Sequence, residues 1–427
     1  MLTRRTYHRR NLELMRALTQ DRASRFTRAS LLFIFCCAAF SSQALAQRPP
    51  ADDYLVYVLS ESADRIALVR FGPAGARVDH DFETGSMPTD LDGPHGIAIS
   101  PDKQFYYVSL AHGRPNGSVW KYRAADDAVI GRVPLGLFPA TMDVSPDGQF
   151  IYVVNFNLHG DMIPSSVSVV ATGPMAEIAR IQTCTMPHGS RLNPQGTKHY
   201  SACMMDDMLV EIDTRTLKAS RHFILTKGAE AGLPGAPKVA GQMAGMQMGG
   251  PAQKHDAGGH GMEMPKAGDI SCSPTWAQPS QDGSSVYVAC NKSSEIVEID
   301  TAAWKLKRRI AAGAGVYNLA LTGDERLIAT NKRDQSVSIF DLKTGKELAR
   351  LKTKRKVLHG AVVSPDNRYA FISVEGIGSE PGTVEIIDLT ALKTVATVDV
   401  ASEAAGIDFL RTEKPSNNKP RTAASAP

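Results

Sequence analysis

The chain has 427 residues, of which 43% are hydrophobic and 22% charged, with Gly 35 and Pro 25. Those values belong to a turn-rich globular protein and exclude collagen-like, coiled-coil and largely disordered chains. The formal charge of +4 is a poor guide to partners, because residues 1–46 carry eight Arg and two acids and leave −2 on the remainder. A nearly neutral body has no general attraction for phosphate backbones, which excludes nucleic acid as a general partner.

In chain order, Arg-rich residues 1–29 precede the apolar run Leu31–Phe40, and Ala44-Leu45-Ala46 follow. Basic region, short apolar core and small-x-small site make a secretory signal peptide over residues 1–46, cleaved before Gln47. The basic region is long, and Met15 is an alternative start. Arg9-Arg10 lie too far from the apolar core for twin-arginine export. No later stretch approaches about 18 apolar residues, so no transmembrane anchor is expected after cleavage. The expected location is periplasmic or secreted. Cys36 and Cys37 leave with the signal; Cys184, Cys203, Cys272 and Cys290 remain in an oxidising compartment, where an even number reads as disulfides.

The mature chain then repeats itself. A Ser-Pro-Asp-Gly turn, or a decayed form of it, precedes a short β-rich run, a polar gap and a second alternating run ending near Asp. Copies begin at Ser100, Ser145, Asn193, Ser280, Thr322 and Ser364, and a copy from Tyr54 lacks its own turn. Setting aside the signal, a Gly-rich insert at 228–268 and a polar tail at 412–427, seven copies average about 46 residues, the length of a four-stranded propeller blade. Alternation such as Ile296-Val297-Glu298-Ile299 has the strand period, and no segment sustains the helical one. The expected fold is all-β, a seven-bladed β-propeller over 47–411. AAGIDFL from Ala404 is expected to supply the missing strand of blade 1 and close the ring, which hides sheet edges.

Tyr152-Val153-Val154-Asn155, with a weaker copy at Ile328-Ala329-Thr330-Asn331, resembles the signature of YVTN-type β-propeller repeats. These look related to the propeller domain of nitrous oxide reductase and to lactonase-like secreted propellers. The resemblance covers nearly all of residues 52–411 and implies fold more than function, since propellers host many activities. The reductase family holds a copper cluster on propeller His residues. This chain lacks a following cupredoxin domain and has fewer suitably placed His, so the full cluster and its reaction are not carried over.

Residues lie at comparable places in each copy. His95, His188 and His359 each stand six residues before the turn position, and each is followed by Gly. The other copies hold Ala140, Thr275, Tyr317 and Ala405 there. In a blade whose strands run outward from the channel, this register points at one channel mouth. His112 and His159 fall in second-to-third-strand loops on the same face. Imidazole suits Zn and Cu, so these five His are candidate metal ligands; the bland alternative is a repeated His-Gly turn bonded to loop backbone. One shared ion requires the three ring nitrogens to lie within about 8 Å of one another, given bonds near 2 Å.

Cys184 and Cys203 are 19 residues apart and Cys272 and Cys290 are 18 apart, one blade on. Within-blade disulfides are the first expectation, with cross-blade pairs or thiolate ligands as alternatives; Met204 and Met205 beside Cys203 would soften such a site. The insert contains Met243, Met246, Met248, Met262 and Met264 with His255 and His260, and eleven Gly without any aromatic residue. It reads as a flexible tract that cannot bury a core and whose thioethers and imidazoles suit copper. The tail is expected to be disordered. A basic cluster at 352–356 reads as a solvated turn before His359.

Three functions follow. The first is an exported propeller that binds a metal, copper above others, or a small ligand on the channel face, in metal handling or as accessory to a redox system. The second is a metal-dependent enzyme, either a copper oxidoreductase or a lactonase-like hydrolase. The third is an interaction scaffold for a periplasmic protein partner. The residue pattern names no substrate and leaves catalysis open.

Overall fold

Each copy of the repeat folds into one antiparallel sheet, in a computed structural model that describes residues 49–86, 90–112, 116–237 and 271–415. The expected signal peptide lies outside these residues, as do Met243, Met246, Met248, His255, His260, Met262 and Met264 and the end of the tail. Blade 2 shows the pattern: Pro94–Ile99 innermost, then Phe105–Leu110, Ser118–Arg123 and Val129–Pro134. The inner strands of blades 3 to 7 are Pro139–Val144, Pro187–Leu192, Pro274–Pro279, Val316–Leu321 and Leu358–Val363. Each touches the inner strand of the blades on either side, and the circle is completed between blades 7, 1 and 2. The fold is the expected seven-bladed propeller. Among the described residues, no helix is long and apolar enough to cross a membrane.

The repeated turn has a chemical basis. Ser100 Oγ donates to Asp102 and accepts the Phe105 N–H, while Asp102 accepts the Gln104 N–H. The same set recurs around Ser145, Ser280 and Ser364. The residue after Asp or its equivalent takes the left-handed conformation, which Gly148, Gly196 and Gly283 adopt without side-chain cost. The YVTN-like Asn also bonds across the blade: Asn155 Nδ2 donates to Ser166 and Ser168, and Asn331 Nδ2 to Ser336 and Ser338. The motif thus joins the second strand to the third.

Successive strand residues face opposite blades. In Asp53–Ser60, Tyr54 and Val56 pack with Tyr369 and Phe371 of blade 7, while Leu55 and Tyr57 pack with Tyr106 and Val108 of blade 2. Both faces are buried, which explains why the strand is a continuous apolar run instead of an alternating one.

Blade 1 is closed by Ala404–Glu413, paired antiparallel to Asp53–Ser60, with Val56 opposite Phe409 and Ser60 opposite Ala404. Buried Arg70 ties the two ends together, donating to Asp53 at 2.9 Å and to Glu413 at 2.6 Å. The tail expected from 412 therefore starts later: Thr412 and Glu413 belong to this strand, because the ladder and the Arg70 bond extend that far. The insert expected from 228 also begins with structure. Ala231–Pro234 adds a fifth strand to the outer edge of blade 4, which requires main-chain bonds but no apolar side chains. Gly232 lets it lie against blade 5, where a Cβ would come within 2.2 Å of the Trp304 carbonyl oxygen. On return, the Asp207 carboxylate accepts the N–H groups of Ser271, Cys272 and Ser273.

The disulfides are Cys184–Cys203 and Cys272–Cys290, with Cα separations of 5.9 and 4.4 Å. Each closes a loop for which chain entropy assigns about 3 kcal/mol. A Cys184→Ala/Cys203→Ala variant should lose about that much unfolding free energy in urea titration, and an unchanged midpoint would contradict the assignment. Removing residues 403–427 should abolish the single cooperative thermal transition seen by circular dichroism. Loss of only the blade 1 signal, with the rest still cooperative, would show that closure is not required.

Candidate functional site

Two rings of residues line the channel mouth, and strand register sets both. The residue opening each inner strand pairs with the last residue of the second strand, as in Pro94 with Leu110, Pro187 with Cys203, Val316 with Asn331 and Leu358 with Val374. The next residue of the inner strand makes the first ring: Ala405, His95, Ala140, His188, Thr275, Tyr317 and His359. The residue just past the second strand makes the other: Glu61, Ala111, Phe156, Met204, Asn291, Lys332 and Glu375.

Contacts between blades hold the first ring in place. A Cβ on Gly96 would lie 2.0 Å from the Ala140 carbonyl oxygen, and one on Gly189 would lie 2.3 Å from that of Thr275. Gly406 stands in the same relation to the His95 carbonyl, at 2.5 Å. The Gly after each His is thus the place where neighbouring inner strands nearly touch. Hydroxyls bond four carbonyls of the first ring: Ser109 donates to Ala140, Thr141 to His188, Thr275 to Tyr317 and Ser373 to Ala405.

The three imidazoles converge. Ring centroids of His95 and His359 are 5.1 Å apart, and those of His95 and His188 are 6.3 Å apart. Tyr317 stands 5.3 Å from both His188 and His359. His188 Nδ1 donates to the Thr275 carbonyl at 2.9 Å, which leaves Nε2 to accept from the Tyr317 hydroxyl at 2.9 Å. His95 Nδ1 bonds Glu61 at 2.7 Å. His95 Nε2 and His359 Nδ1 are buried without a hydrogen-bond partner. Glu61 bonds His112 through its other oxygen at 2.8 Å, and exposed His159 reaches His112 at 3.3 Å. His112 and His159 therefore form a branch joined to the central three through Glu61. Lys332 pairs with Glu375 at 3.0 Å and lies 3.9 Å over the Tyr317 ring.

The mouth has two unlike walls. Phe138 packs edge-on against His95, His112 and His159, and Phe156 against His188. With Ala111 and Ala140 they form an apolar patch joined by Met186 and Met204. The opposite wall carries Lys332, Tyr317, Glu375 and Glu61. Sequence reading did not assign Glu61, Lys332 or Tyr317 a role; the register of the residue after the second strand is the signal that finds the first two. The basic cluster is not a free patch, since Lys352 pairs with Asp334, and Lys354 and Arg355 pair with Asp399.

Electrostatics separate the imidazoles. Burial opposes charge on His95, but the Glu61 carboxylate outweighs it and raises the pKa. Burial likewise opposes charge on Glu61, yet His95 and His112 hold its carboxyl well below the usual range. His188 is pushed down to about 3 by burial and then by His95. His359 is pushed far down by burial, Lys332 and His95. Native His188 thus stays neutral where the unfolded residue gains a proton near 6.5. The unfolded state binds more protons between about pH 6.5 and 3, so stability falls as pH falls through that window. In metal-free protein, His188→Gln should flatten the slope of unfolding free energy between pH 6 and 4 by up to about 1.4 kcal/mol per pH unit, one proton's worth. Urea titrations across that range measure it, and an unchanged slope would refute a neutral buried His188.

Among the described residues, no group of three or more His, Cys, Asp or Glu is arranged so that it could hold a metal ion as it stands. Residues 327–415, which contain Lys332, His359 and Glu375, match the family model of the cytochrome D1 heme domain. Hydrazine synthase of Kuenenia stuttgartiensis is similar in structure, with 21% identity, a TM-score of 0.54, and coverage of 76% of this chain and 92% of that one. A periplasmic gluconolactonase of Pseudomonas aeruginosa has 16% identity and a TM-score of 0.61, with coverage of 85% and 100%. No curated protein sequence gives a significant match. The channel cavity lined by His95 and His359 measures about 30 Å³, whereas organic ligand pockets run to about 300 Å³ or more. That cavity is too small for a haem macrocycle. The comparisons place the chain among β-propellers without singling out the YVTN type.

Proposed function

We propose that this protein is an exported β-propeller that binds one metal ion, copper above others, at its channel mouth through His95, His188 and His359. It would serve metal handling or support a redox system. The observation that carries this reading is the orientation of the imidazoles. His95 and His188 each give Nδ1 to a carboxylate or carbonyl acceptor, the outer-shell arrangement of metal-binding His; His95 Nε2 has no partner, and His188 Nε2 would exchange the Tyr317 hydroxyl for the ion. Two imidazoles on one ion, with bonds near 2 Å, place ring centroids about 5–6.5 Å apart, and both measured separations fall in that span. Met186 and Met204 on the same mouth add soft thioethers that favour copper. When bound, the ion would supply Lewis acidity or one-electron exchange. Glu61 would orient His95 and raise its basicity, the Thr275 carbonyl would fix the His188 tautomer, and Phe138 and Phe156 would exclude water.

A second reading has its own support. Half-buried Lys332 and Glu375 with buried Tyr317 form a set able to hold and move a proton, and a gluconolactonase shares the fold. A lactonase-like hydrolase without metal would use that set. Metal-free protein that opens lactones and loses the activity in Lys332→Met would establish it.

The test of the first reading is metal stoichiometry by mass spectrometry, with calorimetric titration of chelator-stripped protein by Cu and Zn. One tight equivalent is expected, retained when residues 238–266 are deleted. It should be lost in His95→Ala/His188→Ala/His359→Ala and weakened roughly 10–100-fold in Glu61→Gln. Protein that binds no stoichiometric metal, or a triple variant that still binds it tightly, would overturn the proposal.

A further inference from the structure

Beyond the imidazoles, the channel encloses a cavity of about 30 Å³ between His95 and His359 on one side and Arg191 and Trp276 on the other. One water needs about 10–15 Å³, so at the larger figure the space accommodates two non-hydrogen atoms. Four of its lining residues each carry a buried polar atom with no hydrogen-bond partner: His95 Nε2, His359 Nδ1, Trp276 Nε1 and Asn318 Oδ1. More than nine in ten buried polar groups in folded proteins are satisfied, by protein or by an ordered small molecule such as water. Four exceptions on the walls of one small space mark a place where something binds.

The donors and acceptors define what. An indole N–H can only donate and an amide oxygen can only accept, while each imidazole adapts by tautomer. The occupant must therefore carry both a lone pair and an O–H or N–H. Nearby charges are already matched. Lys332 pairs with Glu375, and His95 with Glu61. Arg191 stacks over Trp276 at 4.4 Å, donates to the Met142 and Ser190 carbonyls, and feels the carboxyls of Asp143 and Asp408. Trp276 Nε1 and Asn318 Oδ1 belong to neutral groups, which suit a neutral occupant.

We infer that the channel holds a second binding site, beneath the His ring, for one small neutral molecule of at most two non-hydrogen atoms that both donates and accepts hydrogen bonds. Trp276 and Asn318 are its anchors, and the site stands whether or not a metal binds above it.

The test uses chelator-stripped protein labelled with ¹⁵N in its three Trp side chains, with the Trp276 indole signal assigned through Trp276→Phe. Methanol is the probe, because it has two non-hydrogen atoms and one hydroxyl; tert-butanol is the oversized control. Methanol should shift the Trp276 indole resonance saturably, while those of Trp120 and Trp304 drift linearly and tert-butanol produces no saturable change. Asn318→Leu should abolish the saturable response, with unchanged Trp120 and Trp304 signals showing that the fold persists. If that variant does not fold, Asn318→Ala serves, with the methanol midpoint raised at least 10-fold. A Trp276 response that is linear like the others, or one whose midpoint is unchanged by loss of the Asn318 amide, would overturn the inference.

Discussion

The channel depends on how closely neighbouring inner strands approach. At several junctions a backbone carbonyl presses on a residue with no room for a Cβ or is bonded by a hydroxyl, as at Gly96 against Ala140 and Thr141 against His188. A methyl group at Gly96 would collide with backbone, which cannot yield as a flexible side chain can. Seven sheets must fit together in one closed circle, so a misfit at one junction is passed to the others. The imidazoles inherit their positions from this circle. They sit one residue before the contact, on backbone whose carbonyls are bonded across the junction.

Such rigidity makes it possible to keep unlike groups together. His95 is held ready for charge beside Glu61, while His188 and His359, within one ring contact of it, are kept neutral by burial. In a mobile loop these groups would relax toward water and toward similar pKa values. Here burial and fixed partners keep them apart. The apolar wall of Phe138 and Phe156 contributes by lowering the local dielectric, which strengthens the pairs made on the opposite wall.

Much of this was legible in the sequence, for physical reasons. The Ser-Asp turn is local chemistry that spans five residues, so it survives as a readable repeat and fixes blade number. From that register the convergence of His95, His188 and His359 follows, as do the two disulfides, each within one blade. Partners from different blades were not legible. Glu61 meets His95 and His112 across 34 and 51 residues, and a lone Glu in a loop carries no mark of that. Lys332 looked like any Lys after a strand until its position in the second ring placed it over Tyr317. The fifth strand of blade 4 was missed because an edge strand can form from backbone bonds alone, in a segment whose composition argues against a core.

Blade 1 takes its inner strand from the far end of the chain, where Ser60 opposes Ala404. A ribosome makes residue 60 long before residue 404, so the circle stays open through nearly the whole of synthesis. Until the last strand arrives, Glu61 lacks the Glu403 carbonyl that its backbone N–H bonds, and the first blade keeps an unpaired edge. Blades 2 to 7 can assemble from contacts near in sequence, but the last step joins the most distant pieces and carries the largest loop-closure cost. Completion of the channel is thereby tied to completion of the polypeptide. A fragment released early would present an open sheet edge to other chains instead of a finished ring of imidazoles.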